Sequence, residues 1–123
     1  MIRGAVNSRS EAIVRIRVRG PEGAVQQFDA TVDSGYSGSL TLIPQAVARL
    51  GLIRESGGKA VLADGTIREI DYFRAEIEWH DGWRPILVSA VSGGPLLGMR
   101  MMANQDLRIR VRPGGSVEIV PIP

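Results

Sequence analysis

The chain has 123 residues, 44% of them hydrophobic, enough for one domain with a real core and too apolar for global disorder. It has no cysteine, which excludes a disulfide framework, a thiol nucleophile and a thiolate metal site. The formal charge is only +2 although the pI is about 9.7, because every basic residue except Lys59 is an arginine, charged to very high pH, so no strong field at pH 7 calls for a nucleic-acid partner.

Residues 1–11 contain no apolar run of the kind a leader needs. No stretch approaches the roughly 18 apolar residues of a membrane span. The expectation is a soluble, cytoplasmic protein with no membrane partner.

Period-2 patterning dominates. Over residues 12–19, Val14, Ile16 and Val18 alternate with Arg15, Arg17 and Arg19, as in a half-buried strand. Gly20-Pro21-Glu22-Gly23 turns the chain, and residues 26–32 return as the second strand of a hairpin. Residues 43–51 read as a short helix, with Pro44 at its first position and Gly51 as its stop. Ser56-Gly57-Gly58 is expected as a loop. Residues 59–63 and 66–73 flank Asp64-Gly65, the strongest short hairpin signal in the chain. Residues 74–79 and 83–91 flank His80-Asp81-Gly82, a second hairpin. After the break at residues 92–95, residues 99–103 are expected to make one helical turn. Residues 107–112 alternate again, Pro113-Gly114-Gly115 turns, and residues 116–120 form a last strand. Pro121 and Pro123 cannot donate ladder bonds, so that strand is expected to end at Val120. About seven or eight short strands with one or two short helices predict a single all-β domain, a small closed barrel or a sandwich.

One segment does not read as an ordinary turn. In Ala30-Thr31-Val32-Asp33-Ser34-Gly35-Tyr36-Ser37-Gly38 an apolar strand runs into an aspartate, then a small hydroxyl residue, then glycine. A carboxylate at the end of a buried strand is costly unless hydrogen-bonded. Ser34, Ser37 and the backbone at Gly35 and Gly38 are the donors at hand. The bland alternative is an Asx-type turn after a strand.

Asp33-Ser34-Gly35 resembles the Asp-Thr/Ser-Gly signature of aspartic proteases. Pro95-Leu96-Leu97-Gly98-Met99 resembles the second landmark of the single-domain, retropepsin-like (clan AA) members, two apolar residues and a glycine before a short helix. Asp64-Gly65 lies where that family places its substrate-covering flap. Asp-Ser-Gly-Tyr-Ser-Gly followed by Leu-Thr-Leu-Ile-Pro is most similar to bacterial members of the Asp-Thr-Gly-Phe type. Two departures stand out. Ser34 keeps the hydroxyl of the usual threonine and loses its methyl group. Arg100 stands where the bacterial relatives often carry an acidic residue.

The resemblance spans roughly residues 11 to 120 and implies a retropepsin-like β-barrel, an aspartic endopeptidase, and neither metal nor organic cofactor. In that frame Asp33 is the catalytic carboxylate. Ser34 ties two active-site loops together, Gly35 lets the backbone approach the substrate, and Ser37 hydrogen-bonds the Asp33 carboxylate. Ala63, Asp64, Gly65 and Thr66 form the flap tip, and Leu97 and Gly98 are the structural landmark. The chemistry needs two carboxylates and the chain carries one signature, so the resemblance implies a homodimer acting on a peptide or protein. The terminal strand would interleave between the subunits. The alternative is the same fold used as a binding or assembly module, with little or no proteolysis.

Other features carry less. Ser37 in Gly35-Tyr36-Ser37-Gly38-Ser39 misses the hydrolase nucleophile elbow, which needs glycine where Ser39 stands. His80 is the only histidine, has no spaced metal-ligand partners, and reads as a turn residue. Gly93-Gly94 lacks the lysine of a phosphate loop. Arg15, Arg17 and Arg19 form one basic row, and Arg108, Arg110 and Arg112 another. A solvated strand face with cross-strand partners such as Glu76 and Glu78 is favoured over a phosphate-binding face. Trp79 and Trp83 are expected to cap the core.

Overall fold

The computed structural model describes all of residues 1–123. The elements are β1 (Ile2–Val6), β2 (Ala12–Arg19), β3 (Val25–Val32), β4 (Leu40–Leu42), α1 (Pro44–Arg49), β5 (Ile53–Val61), β6 (Ile67–Trp79), β7 (Gly82–Ala90), β8 (Leu96–Leu97), β9 (Gln105–Ile109) and β10 (Ser116–Pro121). The fold is all-β. The strands form one sheet in the order β5-β6-β7-β4-β8-β3-β2-β1-β10-β9, and β6 also pairs with β2 through Val18↔Ile77 and Arg19↔Glu76.

Strand β2 shows why the alternation matters. Val14, Ile16 and Val18 are buried, in the core with Leu40, Leu42, Ile77, Val88, Leu97 and Ile119. Burying such side chains contributes about 1.5–3 kcal/mol each. The arginines between them face outward and find carboxylates on neighbouring strands: Arg15 to Asp29 at 3.3 Å, Arg17 to Glu78 at 2.7 Å and Arg19 to Glu76 at 3.0 Å. This first arginine row is therefore a cross-strand paired face. Trp79 is in the core, but Trp83 is not: its ring lies under Arg19, whose guanidinium carbon is 4.3 Å from the ring centroid. A cation–π contact holds it on the outer face.

Helix α1 begins at Pro44 and buries Ala46 and Val47. Gly51, at φ +64°, ends it in the left-handed region that glycine enters at no steric cost.

Several elements differ from the sequence expectation. Ser56-Gly57-Gly58 is not a loop but part of β5, beside a register shift between Arg54 and Ser56. Gly58 is there for close approach, since a Cβ would lie 2.8 Å from the Tyr72 ring. Residues 67–79 are one strand, shared by both hairpins, rather than two. Strands β1, β4 and β8 were not expected. Residues 99–103 wind as successive turns, with Met101 N–H to Gly98 O at 3.1 Å and Met102 N–H to Met99 O at 3.0 Å, and no helix forms. Strand β9 stops at Ile109, and β10 runs through Pro121. Most consequentially, β10 lies between β1 and β9 of its own chain. Both of its edges are occupied, so residues 116–120 have no free edge to interleave with a partner.

Candidate active site

Strand β3 delivers Asp33 to the end of the sheet. Strand β8 runs parallel to it through Thr31↔Leu96 and Val32↔Leu97, and antiparallel to β4 at Leu40↔Leu97. The segment 95–100 is thus wedged between the strand entering the signature loop and the strand leaving it. Asp33 N–H donates to Leu97 O at 2.9 Å, Gly98 N–H to Ser39 O at 2.9 Å, Met99 N–H to Tyr36 O at 2.8 Å and Arg100 N–H to Gly38 O at 3.2 Å. These bonds satisfy a loop that would otherwise bury unpaired backbone groups.

The same crossing explains the Leu-Leu-Gly landmark. Leu97 is fully buried in the core. At Gly98 a Cβ would overlap the Gly38 carbonyl oxygen and come within 2.6 Å of a Tyr36 ring carbon. Only glycine lets the two segments cross this closely.

The Asp33 carboxylate is half-buried, and its Oδ1 accepts the Gly35 N–H at 2.9 Å. This bond is an Asx-type turn, so the bland alternative describes the local geometry without removing the chemistry. The expected bond from Ser37 is not made; Ser37 is exposed and lies beyond the turn. The Gly35 amide, two residues on, closes the turn without ordering any side chain. Ser34 and Gly35 are exposed beside the carboxylate.

Tyr36 carries more than the sequence suggested. Its hydroxyl is 3.1 Å from the Ser89 hydroxyl, and Ser89 is buried in β7. Burial pushes the Tyr36 phenol above its ordinary pKa, the Ser89 bond opposes this, Tyr72 adds to the rise and Arg100 works against it. The available signal was a bulky polar ring placed between two glycines, Gly35 and Gly38.

Asp64 and Gly65 form the turn of the β5–β6 hairpin. Leu62 N–H donates to Thr66 O at 2.8 Å, and Gly65 sits at φ +85°. Asp64 accepts the Thr66 hydroxyl and, at 3.0 Å, the Thr66 N–H; these bonds hold its carboxyl below the usual range. Ala63, Asp64, Gly65 and Thr66 are all exposed, and no hydrogen bond links them to the Asp33 loop. Just behind them the register partners Val61 and Ile67 are 73% and 67% exposed. The structure therefore brings Asp33, Ser34, Gly35, Leu97 and Gly98 together and holds the hairpin tip apart. A groove of about 640 Å³ runs past Ser39, Arg74, Arg84, Leu87 and Arg100, bordering the signature loop at Ser39 and Arg100. His80 is a turn residue at φ +54°, its Nε2 2.8 Å from Gln105 Oε1.

No family model and no curated protein matches the sequence. Among solved structures the chain is similar to the crystal structure of a retropepsin-like aspartic protease from Rickettsia conorii, with a TM-score of 0.59 over 98% of this chain and 90% of that one, at 16% identity. The fold is retropepsin-like. At this identity the likeness is one of backbone path. The roles of this chain's residues rest on their own chemistry.

Proposed function

We propose that the chain is an aspartic endopeptidase that acts as a homodimer, with the two Asp33 carboxylates facing each other. The observation that carries this reading is the Asp33 carboxylate, presented at a strand end by the Gly35 amide on a loop clamped by residues 95–100. One carboxylate takes a proton from water as the water oxygen attacks the scissile carbonyl carbon, and the other, protonated, donates to the carbonyl oxygen. Collapse of the resulting diol breaks the C–N bond, and a proton passes to the leaving nitrogen. Two carboxylates at roughly 3 Å repel by about 5 kcal/mol at an effective dielectric near 20, so the pair holds one proton over a broad pH range. Activity should follow a bell-shaped pH curve.

Ser34 is assigned to tying the two loops together across the dimer, and Gly35 to backbone contact with the substrate. The hairpin tip, Ala63 to Thr66, is assigned to covering the peptide and excluding water. The uncovered pair Val61 and Ile67 supports this, since apolar side chains there gain by closing over a ligand.

The deciding experiment is cleavage of a peptide library by the wild-type chain and by Asp33→Asn. The asparagine Oδ1 still accepts the Gly35 N–H, so the variant should fold and lose cleavage. Wild-type turnover by the variant would end the aspartic-protease reading. A folded, dimeric wild type that cleaves nothing would favour the binding or assembly module.

A further inference from the structure

Where β5, β6 and β7 approach the signature loop lies the groove of about 640 Å³, within the roughly 300–1,000 Å³ of ligand-binding clefts. Three guanidinium groups line it, those of Arg74, Arg84 and Arg100, against one carboxylate, that of Glu55. That carboxylate is already taken, since Glu55 Oε2 lies 3.2 Å from Arg74 Nε. Arg84 and Arg100 have no counterpart. Neither takes part in any of the chain's ion pairs or side-chain hydrogen bonds. On the neighbouring strands, by contrast, Arg15, Arg17 and Arg19 of β2 and Arg54 of β5 each hold a carboxylate. The register sets Arg84 opposite Ile77, which offers no charge. Arg84 is nonetheless half-buried, where an unpaired guanidinium is costly. Both free arginines stand on a fixed backbone. Arg84 belongs to β7, whose ladder to β6 runs unbroken from Tyr72↔Ser89 to Trp79↔Gly82. Arg100 closes the crossing segment, with its N–H bonded to Gly38 O at 3.2 Å. Leu87, 40% exposed, and Pro85 add apolar surface beside them.

We propose that this groove docks an acidic segment of a polypeptide substrate, with carboxylates of the segment on Arg84 and Arg100. A guanidinium presents its donors in a planar fork that fits a carboxylate through two parallel bonds. Both forks are free here, and the groove holds no unpaired carboxylate to compete for them. The apolar surface of Leu87 and Pro85 suits a peptide, whose acidic side chains carry methylene groups as well as charge. A single-stranded nucleic acid would call for aromatic rings to stack on, and no aromatic residue lines the groove. The groove borders the Asp33 loop at Ser39 and Arg100, so a segment held there tethers the rest of its chain beside that loop. The acidic residues thus dock away from the scissile bond and select the substrate without entering the chemistry. The inference rests on the proposed function in making the segment a substrate's; the docking itself does not require cleavage.

The test uses a fluorescein-labelled hexapeptide, Glu-Leu-Glu-Glu-Leu-Glu, with Gln-Leu-Gln-Gln-Leu-Gln as its neutral counterpart. Anisotropy reads binding to the wild type and to Asp33→Asn, where cleavage cannot interfere, so docking and proteolysis can fail separately. Both chains should bind the acidic peptide saturably, and the neutral peptide about tenfold more weakly or worse. R84Q and R100Q should each weaken binding of the acidic peptide about tenfold, the usual cost of losing a hydrogen bond between charged groups. R112Q removes the same charge from an exposed arginine outside the groove, itself without an ion pair. At physiological ionic strength it should leave binding within about twofold, since distant exposed charges are screened. Among peptides that the wild type cleaves, R100Q should raise KM for those with flanking glutamates and leave those with glutamines unchanged. Circular dichroism and a cooperative melt establish folding; if R84Q does not fold, R100Q, at an exposed position, decides the matter. A chain that binds the acidic peptide and cleaves nothing would keep the docking site and lose the enzyme reading. No saturable binding of the acidic peptide, equal binding of the neutral one, an R112Q loss as large as that of R100Q, or a thymidine hexanucleotide bound as tightly would overturn the proposal.

Discussion

The Tyr36 hydroxyl meets the Ser89 hydroxyl at 3.1 Å and ties the Asp33 loop to strand β7. Ser89 is the register partner of Tyr72 on β6, and the Tyr72 ring packs on Gly58 of β5. The signature loop and the hairpin strands thus meet through three side chains, and Ser89, buried, has no exposed solvent to replace the bond.

Tyr36→Phe keeps the ring and leaves the Ser89 hydroxyl unpaired. It should cost about 1 kcal/mol, or roughly 4 °C in melting temperature. Ser89→Ala should cost a similar amount for the converse reason. In a double-mutant cycle the pair should cost clearly less than the sum of the singles. Simple additivity would show that the two hydroxyls do not act together.

The same phenol predicts a stability limit in alkali. Burial raises the Tyr36 pKa above the ordinary phenol value of about 10, so the folded state holds this proton after the unfolded chain has released it. The contribution is fully present below the unfolded pKa and is lost as pH rises through the folded one. Melting temperature should fall above about pH 10, and Tyr36→Phe should flatten part of that fall. An unchanged slope in the variant would assign the loss to other groups.

Gly98→Ala should cost roughly 3 kcal/mol or prevent folding, because the crossing with Gly38 and Tyr36 leaves no room for a methyl group. Gly82→Ala is the control. Its Cβ meets nothing within 4 Å, and the change should stay within about 0.5 kcal/mol. Thermal melts of the two variants check both expectations.

The hairpin predicts a separation of stability from activity. Val61→Ser with Ile67→Ser should leave the melt within about 0.5 kcal/mol, since both side chains are already in solvent. The same double variant should lower kcat/KM for peptide cleavage. A large stability loss with unchanged kcat/KM would give these residues a packing role instead.

What depends on neighbours along the chain was legible from the sequence. The Val14-Ile16-Val18 alternation, the Pro44 to Gly51 helix and the Asp64-Gly65 hairpin follow from side-chain period and turn chemistry, and all three are present. The ordered landmarks at Asp33 and at Leu97-Gly98 pointed to the fold that the structural likeness supports. What depends on distant partners was not legible. Strand β8 has two residues, too few for any period, and exists because β3 and β4 flank it. Gly57 and Gly58 carry loop chemistry by sequence, yet pairing to Asp71 and Ile70 extends them into β5. The Asp33 carboxylate is held by an amide rather than by Ser37, and Tyr36 finds Ser89 across 53 positions of chain. Nothing local distinguishes β10 from a free terminal strand; it became an inner strand only when β1 and β9 closed on its two edges. Period and turn chemistry are written residue by residue, whereas the occupancy of a strand's edges belongs to the assembled sheet.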